Sequence, residues 1–392
     1  MLFISSVPVL AWFVVAKTYA LSSLFLFGAY IAIWRGTRPW QFALGGLFAA
    51  LAVDARLYLV AVIPVFFGMI WFRRTDLRQS ATPFIWFLGG VTLGLLPNLY
   101  WIVNDPDTYY FNVLGYHAAR SGHGLVNGFH QKARILAAVI GVQLSGQGFG
   151  APFGILLLFN MLFFLLCRKA RVWAEVCSAQ ALGLTIVAVS LLPTPTYIQY
   201  FCVAAPFLIA GAIPVVSELR GPAKIAAVSV LFVTVPFALF FGFSGSVMGQ
   251  ALTGGSEPVN YKISSVREVS RVIDQQTSPG DTVLSLWPGY LLESKARCLR
   301  GMETHVGLFI APQLNARELE KYSIRSQAQI EAGLAHHDPC VVVVGIEETM
   351  HPYGWQYGTL LAAAGYHTIY QSGHTAVYSC KPSVADRGSG PL

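Results

Sequence analysis

Asp54 and Arg56 are the only charged residues among the 32 positions from Gln41 to Phe72. A guanidinium in such a run is suited to forked hydrogen bonding with a phosphate or carboxylate. Ionisable groups at membrane depth are costly and are retained where a partner, a water-filled cavity or a substrate neutralises them. The residues therefore allow two readings. Either Arg56 binds an anion, or Asp54 and Arg56 form a pair that only fixes a hairpin. Lys17 is the second candidate cation for a phosphate, and simple snorkelling of its ammonium is the competing explanation.

A second concentration of ligand-binding side chains lies between Asn104 and Gln147. It holds Asp105, Asp107, Tyr109, Tyr110, Asn112, Tyr116, His117, Arg120, His123, His130, Lys132 and Arg134. Aromatic, His and Arg residues at this density suit stacking on a sugar and bonding to its hydroxyls or to phosphate. Tyr116, His117 and Arg120 are the candidate substrate-lining residues here. The His117, His123 and His130 spacing is not that of a helical ligand pair, so no metal site is expected. Asp105 and Asp107 flank Pro106, where a capped turn is the simpler reading. Tyr197, Gln199 and Tyr200 open a later apolar run and either line the same site, together with Asp54 and Tyr58, or belong to an aromatic belt. No dinucleotide, phosphate-loop, zinc-protease or nucleophile-elbow motif occurs. No cofactor is implied by motif.

The elements that must position these groups follow from composition. The 392 residues are 55% apolar and 11% charged, against about 25% charged in ordinary globular chains. Repeated apolar runs of roughly 20 residues match a bilayer core. The expected architecture is a polytopic α-helical membrane domain followed by a small α/β three-layer extracytoplasmic domain. Candidate spans are Leu2 to Ala16, Ala20 to Trp34, a short hairpin through Gln41 to Phe72, Pro83 to Val103, Ala151 to Leu166, Val176 to Leu192, Tyr197 to Val216 and Ile225 to Phe243. Basic clusters join them: Arg35 with Arg38, Arg73, Arg74 and Arg78, Arg168, Lys169 and Arg171, and Arg220 with Lys224. By the positive-inside rule these clusters are cytoplasmic. Parity of crossings then places Arg56, the segment from Asn104 to Gln147 and everything beyond Gly245 outside, in a multi-pass protein of the bacterial cytoplasmic membrane. The bilayer is the expected partner. Residues 1–245 carry 15 Lys/Arg against 6 Asp/Glu and the remainder 11 against 13. The basic charge thus belongs to the loops between spans, and nucleic acid is not an expected partner. A chain that starts inside an apolar run, with no basic anchor before Lys17, also predicts a missing upstream portion.

Residues 246–263 read as a linker, 264–382 as the α/β domain and 383–392 as a disordered tail. Val266, Val269, Val272 and Ile273 recur at helical spacing, and Ser278-Pro279-Gly280-Asp281 turns into a strand from Thr282 to Leu286. A helix is expected over Ala316 to Leu334. A strand buried on both faces is expected from Cys340 to Gly345, a helix over Tyr357 to Ala364, and strands over Tyr366 to Gln371 and Thr375 to Cys380. The six cysteines follow no metal spacing and read first as small buried residues; if the C-terminal part is extracytoplasmic, one disulfide among Cys298, Cys340 and Cys380 can form instead. The spacing does not choose the pair.

Several segments together resemble the GT-C family of integral-membrane glycosyltransferases, of the protein-mannosyltransferase and aminoarabinose-transferase type. Gly45-Gly46 through Tyr58 looks like that family's element of small-residue helix, Arg and apolar helix. Tyr197-Ile198-Gln199-Tyr200 through Ala205-Pro206-Phe207 looks like its late helix with an entering Tyr. The Ser264 to Tyr290 segment resembles soluble tails of bacterial members. The resemblance implies transfer of a sugar from a polyprenyl-phosphate carrier to an extracytoplasmic acceptor such as an envelope glycan, lipid or protein. A carboxylate would act as base and cations would hold the departing lipid phosphate, with Arg56 at the matching hairpin position; Lys17 is a candidate by its expected outer-face position. The family's catalytic carboxylates sit in a first outer loop that has no counterpart here, so no catalytic residue is assigned. The competing classes are a lipid-binding or transport protein and a non-catalytic truncated homologue.

Overall fold

The structure is a computed structural model that describes residues 18–72, 81–120, 125–140, 150–166, 173–193, 195–222, 224–226, 228–229, 263–304, 307–345 and 356–381. Lys17, the run from Leu2 to Ala16, most of Ile225 to Phe243, the linker up to its last residue, Ile263, and the tail lie outside the described residues. The chain divides into two compact units, residues 1–248 and 249–392.

The first unit is helical. Its opening helices are α1 (Tyr19–Arg35), α2 (Pro39–Ala55), a 3-10 turn Leu57–Val62, α3 (Ile63–Phe72), α4 (Thr82–Gly94) and α5 (Leu96–Asn104). Then come α6 (Pro106–Tyr110), a π turn Phe111–Gly115, α7 (Tyr116–Arg120), α8 (Leu125–Val139), α9 (Gly150–Leu166), α10 (Trp173–Ser190), a 3-10 turn Ile198–Ala204 and α11 (Ala205–Glu218). Their buried side chains form one apolar cluster. It includes Leu26, Ala29 and Ile33 of α1, Ala49 and Ala52 of α2, Leu182 and Ile186 of α10, and Phe207 and Leu208 of α11.

Helices α2 and α4 meet backbone to backbone. A Cβ at Gly46 would collide with the Phe87 carbonyl, and one at Gly90 with the Ala43 carbonyl. Small residues permit this approach, in which van der Waals and Cα–H···O contacts replace side-chain packing.

The expected polytopic membrane architecture is not found among the described residues. No single helix among the described residues is long and apolar enough to cross a bilayer. Only the pair Thr82–Gly94 and Leu96–Asn104 passes jointly, and it is bent by 48°. For three of the runs proline is the physical reason. Pro64, Pro97 and Pro206 each occupy the second position of a helix (α3, α5 and α11). A proline there lacks its amide N–H and its ring crowds the carbonyl four residues back, so the preceding turn cannot continue as α-helix. Apolar runs that look continuous are therefore cut into a 3-10 turn plus a shorter helix, or bent. The helices themselves fall where the apolar runs lie. The segment after Asn104, read only as an outer loop, contains α6, α7 and α8. Asp105 starts α6 by accepting the Thr108 N–H at 3.2 Å, as its capped-turn reading requires.

The second unit holds a five-stranded sheet in the order β2-β1-β3-β5-β4, with β1 (Thr282–Ser285), β2 (Arg297–Cys298), β3 (Val341–Val344), β4 (His367–Ser372) and β5 (Thr375–Ser379). Strands β2, β1 and β3 run parallel, and β5 is antiparallel to both β3 and β4. Both faces are covered. Helix α12 (Ile263–Gln276) places Val266, Val269 and Ile273 against Val283, Val341, Val343 and Val377. The opposite face packs Leu284, Val342 and Val344 against Ile330, Leu334, Tyr357 and Leu361. The turn at Ser278 to Asp281 closes by an Asp281 N–H bond to the Ser278 carbonyl at 3.0 Å. The helix expected over Ala316 to Leu334 is instead two, Ala316–Lys321 and Gln327–Ala335. Ser326 starts a new helix by accepting the Gln329 N–H, while Gln329 Oε1 accepts the Ser326 N–H. That capping box outweighs continued apolar spacing. Strand β2 is only two residues long and gives no sequence pattern.

The disulfide forms between Cys340 and Cys380, which flank the paired strands β3 and β5. Cys298 stays a thiol. Burial, reinforced by Glu303, pushes it up to about 11, so it is mostly protonated at neutral pH.

Two outcomes are expected. Gly46→Val or Gly90→Val should destabilise the helical unit by about 1–3 kcal/mol, the usual cost of overpacking, measured by chemical denaturation of the full chain. Cys340→Ser should destabilise the second unit by up to about 4 kcal/mol, the chain-entropy value for a loop of this length. Intact mass under denaturing, non-reducing conditions with alkylation should meanwhile show one disulfide before reduction.

Candidate functional site

Arg56 ends α2. Its N–H donates to the carbonyls of Ala52 and Val53, both at 3.0 Å, and its carbonyl accepts the Leu59 N–H at 3.0 Å. The residue thus sits between an α-helix and a 3-10 turn, with an extended backbone. The negative end of the α2 dipole favours a cation at this position. Thr18 Oγ1 donates to the Ala55 carbonyl at 3.2 Å and holds the start of α1 against the end of α2.

The guanidinium of Arg56 lies over the ring of Tyr19, with Cζ 4.0 Å from the centroid. Tyr19 is buried. Around this stack lie further aromatic rings. Tyr200 is 6.5 Å from Tyr19 and 5.7 Å from Tyr58, and Tyr197 meets Tyr200 edge-on at 5.7 Å. Tyr58 donates to the Tyr200 carbonyl at 3.3 Å, and Ser190 Oγ donates to the same oxygen at 3.0 Å. The Cys202 thiol donates to the Gln199 carbonyl at 2.8 Å. Four separate elements thus converge: the start of α1, the hairpin break, the end of α10 and the turn from Ile198.

Within this aromatic surround, Arg56 Nε is buried and has no hydrogen-bond partner among the described residues. Leaving a charged donor unsatisfied costs more than the roughly 1–3 kcal/mol of a neutral buried group. Nε together with one terminal nitrogen is also the prong pair that grips a phosphate or carboxylate. The arrangement therefore favours an anion.

Asp54 does not supply it. Its carboxylate accepts from Asn98 Nδ2 of α5 and is exposed. No Asp54–Arg56 salt bridge forms: Asn98 holds Asp54, while the Arg56 guanidinium lies on Tyr19. Residues two apart on a helix point to different sides, so the hairpin-fixing pair is corrected to two separate interactions.

The structure brings together Arg56, Tyr58, Tyr197, Gln199 and Tyr200. Tyr116, His117 and Arg120 lie on α7, where the rings of Tyr116 and His117 meet at 5.4 Å. The contacts just described include neither Tyr116 nor His117. Sequence reasoning missed Tyr19, Ser190, Cys202 and Asn98. Tyr19 lies 37 residues before Arg56 at the head of an ordinary apolar run, and no local spacing links the two. The Ile198 to Ala204 turn offered only its entering tyrosines.

A double-mutant cycle on Asp54→Asn and Arg56→Gln should give a coupling within about 0.5 kcal/mol of zero, as for independent sites. A coupling of several kcal/mol in chemical denaturation would restore the ion pair. Comparison with protein-family models, curated proteins and solved structures returns no match for this chain.

Proposed function

We propose that this chain binds a polyprenyl-phosphate-linked sugar at Arg56 and belongs to a system that moves that sugar to an extracytoplasmic acceptor. The single observation that supports the reading most strongly is the buried, unpartnered Nε of Arg56 on the ring of Tyr19. A phosphate oxygen supplies the missing acceptor. The tyrosines around it offer flat apolar faces and hydroxyl tips to a sugar or an isoprenoid unit. The resemblance to GT-C glycosyltransferases at Gly45 to Tyr58 and at Tyr197 to Phe207 supports the transferase class.

A lipid surface is the proposed partner. The helical unit exposes Leu24, Trp71, Phe72, Ile85, Trp101 and Val103, each more than half accessible. Outward apolar side chains of this number suit contact with lipid or with another protein.

A second reading, lipid-phosphate binding without transfer, is favoured by one observation: the Asp54 carboxylate is held by Asn98 and is not paired with Arg56. Under it the chain holds the donor and another polypeptide or segment supplies the base.

Arg56→Ala in the full chain, reconstituted in nanodiscs, should weaken binding of polyprenyl phosphate by about tenfold to a hundredfold, the value of a charge-assisted fork. Arg56→Lys should recover part of the loss. Neutral polyprenol should bind equally to both proteins. Equal affinity of wild type and Arg56→Ala for polyprenyl phosphate would overturn the assignment. Sugar release by the wild-type chain, but not by Arg56→Ala, would select transfer over binding alone.

A further inference from the structure

Two amide side chains, Asn160 of α9 and Gln180 of α10, are fully shielded from solvent. Asn160 Nδ2 donates both of its protons, to the Leu156 carbonyl at 2.7 Å and to the Leu208 carbonyl at 2.8 Å. Those two bonds set the orientation of the amide, because the reversed form would place its oxygen against two acceptors. Gln180 Nε2 donates to the Gly211 carbonyl of α11 at 3.4 Å. Both side chains crowd the same glycine. A Cβ on Gly211 would collide with Asn160 Oδ1 and would lie 2.7 Å from Gln180 Cγ.

What remains are two oxygens, Asn160 Oδ1 and Gln180 Oε1, each buried and each accepting no hydrogen bond from the described residues. Buried carbonyl groups in folded proteins are almost always satisfied. Two orphans on the two amides that crowd Gly211, at one three-helix junction, call for a donor.

We propose that Asn160 and Gln180 form a binding site for one internal water, which donates one O–H to Asn160 Oδ1 and the other to Gln180 Oε1. A monovalent cation is the competing ligand, since both groups present oxygen. Its charge would enter a junction whose described partners, Leu156, Leu208 and Gly211, are neutral, and two amide dipoles do not replace a lost hydration shell. Water brings two donors and no net charge, and buried waters reside where they satisfy otherwise unpaired polar groups. The bridge would tie α9 to α10 beside α11, which already accepts from both amides through Leu208 and Gly211. The inference is independent of the Arg56 reading.

The test is a crystal structure of the full chain at a resolution that shows ordered water, with a second crystal soaked in rubidium chloride. The expected result is one water within hydrogen-bonding distance of both oxygens and no anomalous rubidium peak. A rubidium peak would overturn the proposal, as would a direct Asn160–Gln180 hydrogen bond or a dry junction. Gln180→Leu provides a second readout. Its crystal should lose the water while the Asn160 bonds to Leu156 and Leu208 persist, and its melting temperature should fall. A water retained in Gln180→Leu at the same position would overturn the bridge.

Discussion

The contact on which the helical unit depends is the approach of α2 to α4 at Gly46 and Gly90, where each helix rests on a carbonyl of the other. It leaves no room for a side chain, so it sets the separation and depth of the two helices. From that fixed pair the rest follows. Helix α5 continues α4 after the bend at Leu95 and brings Asn98 to Asp54. The other side of the α2 terminus then faces α1, where Tyr19 receives the guanidinium of Arg56. Two charged residues that look like a pair are in fact divided between two neighbours.

The consequence for Arg56 is electrostatic. A guanidinium over an aromatic face keeps part of its solvation through the ring quadrupole, worth about 0.5–2 kcal/mol. That does not satisfy Nε, which is a directional donor. The helix-end dipole adds a favourable term of similar size, again without an acceptor. These terms hold the charge in place and leave its strongest hydrogen-bonding direction for a ligand. In the second unit the analogous constraint is covalent: Cys340 and Cys380 close the strand pair β3 and β5. That pair carries the fully buried Val341 to Val344.

Legibility in the sequence varied with the range of the physics involved. Val341 to Val344 reads as a strand buried on both faces because four consecutive β-branched residues have few other solutions. Val266, Val269 and Ile273 read as one helix face because burial on a single side imposes the helical period. Both depend on neighbours a few residues away. The split of Ala316 to Leu334 was lost because its apolar spacing runs through Ser326, and only the reciprocal bonds of Ser326 and Gln329 reveal a new start. The membrane expectation failed in a similar way. Composition over a window counts apolar residues, whereas the run is cut by Pro64, Pro97 and Pro206 acting one turn back.

By itself the sequence determined that the first two-thirds of the chain is apolar and helical, that an α/β segment follows, and that Arg56 stands isolated in an apolar run at a helix break. Those are properties of composition, period and proline chemistry, which act locally. Only the tertiary structure decided which cysteines join, that Asp54 bonds Asn98 rather than Arg56, and that Tyr19 and the turn after Tyr197 surround the guanidinium. Each joins residues 37 or more positions apart. Such pairings depend on how helices pack in three dimensions, and no period or motif along the chain records them.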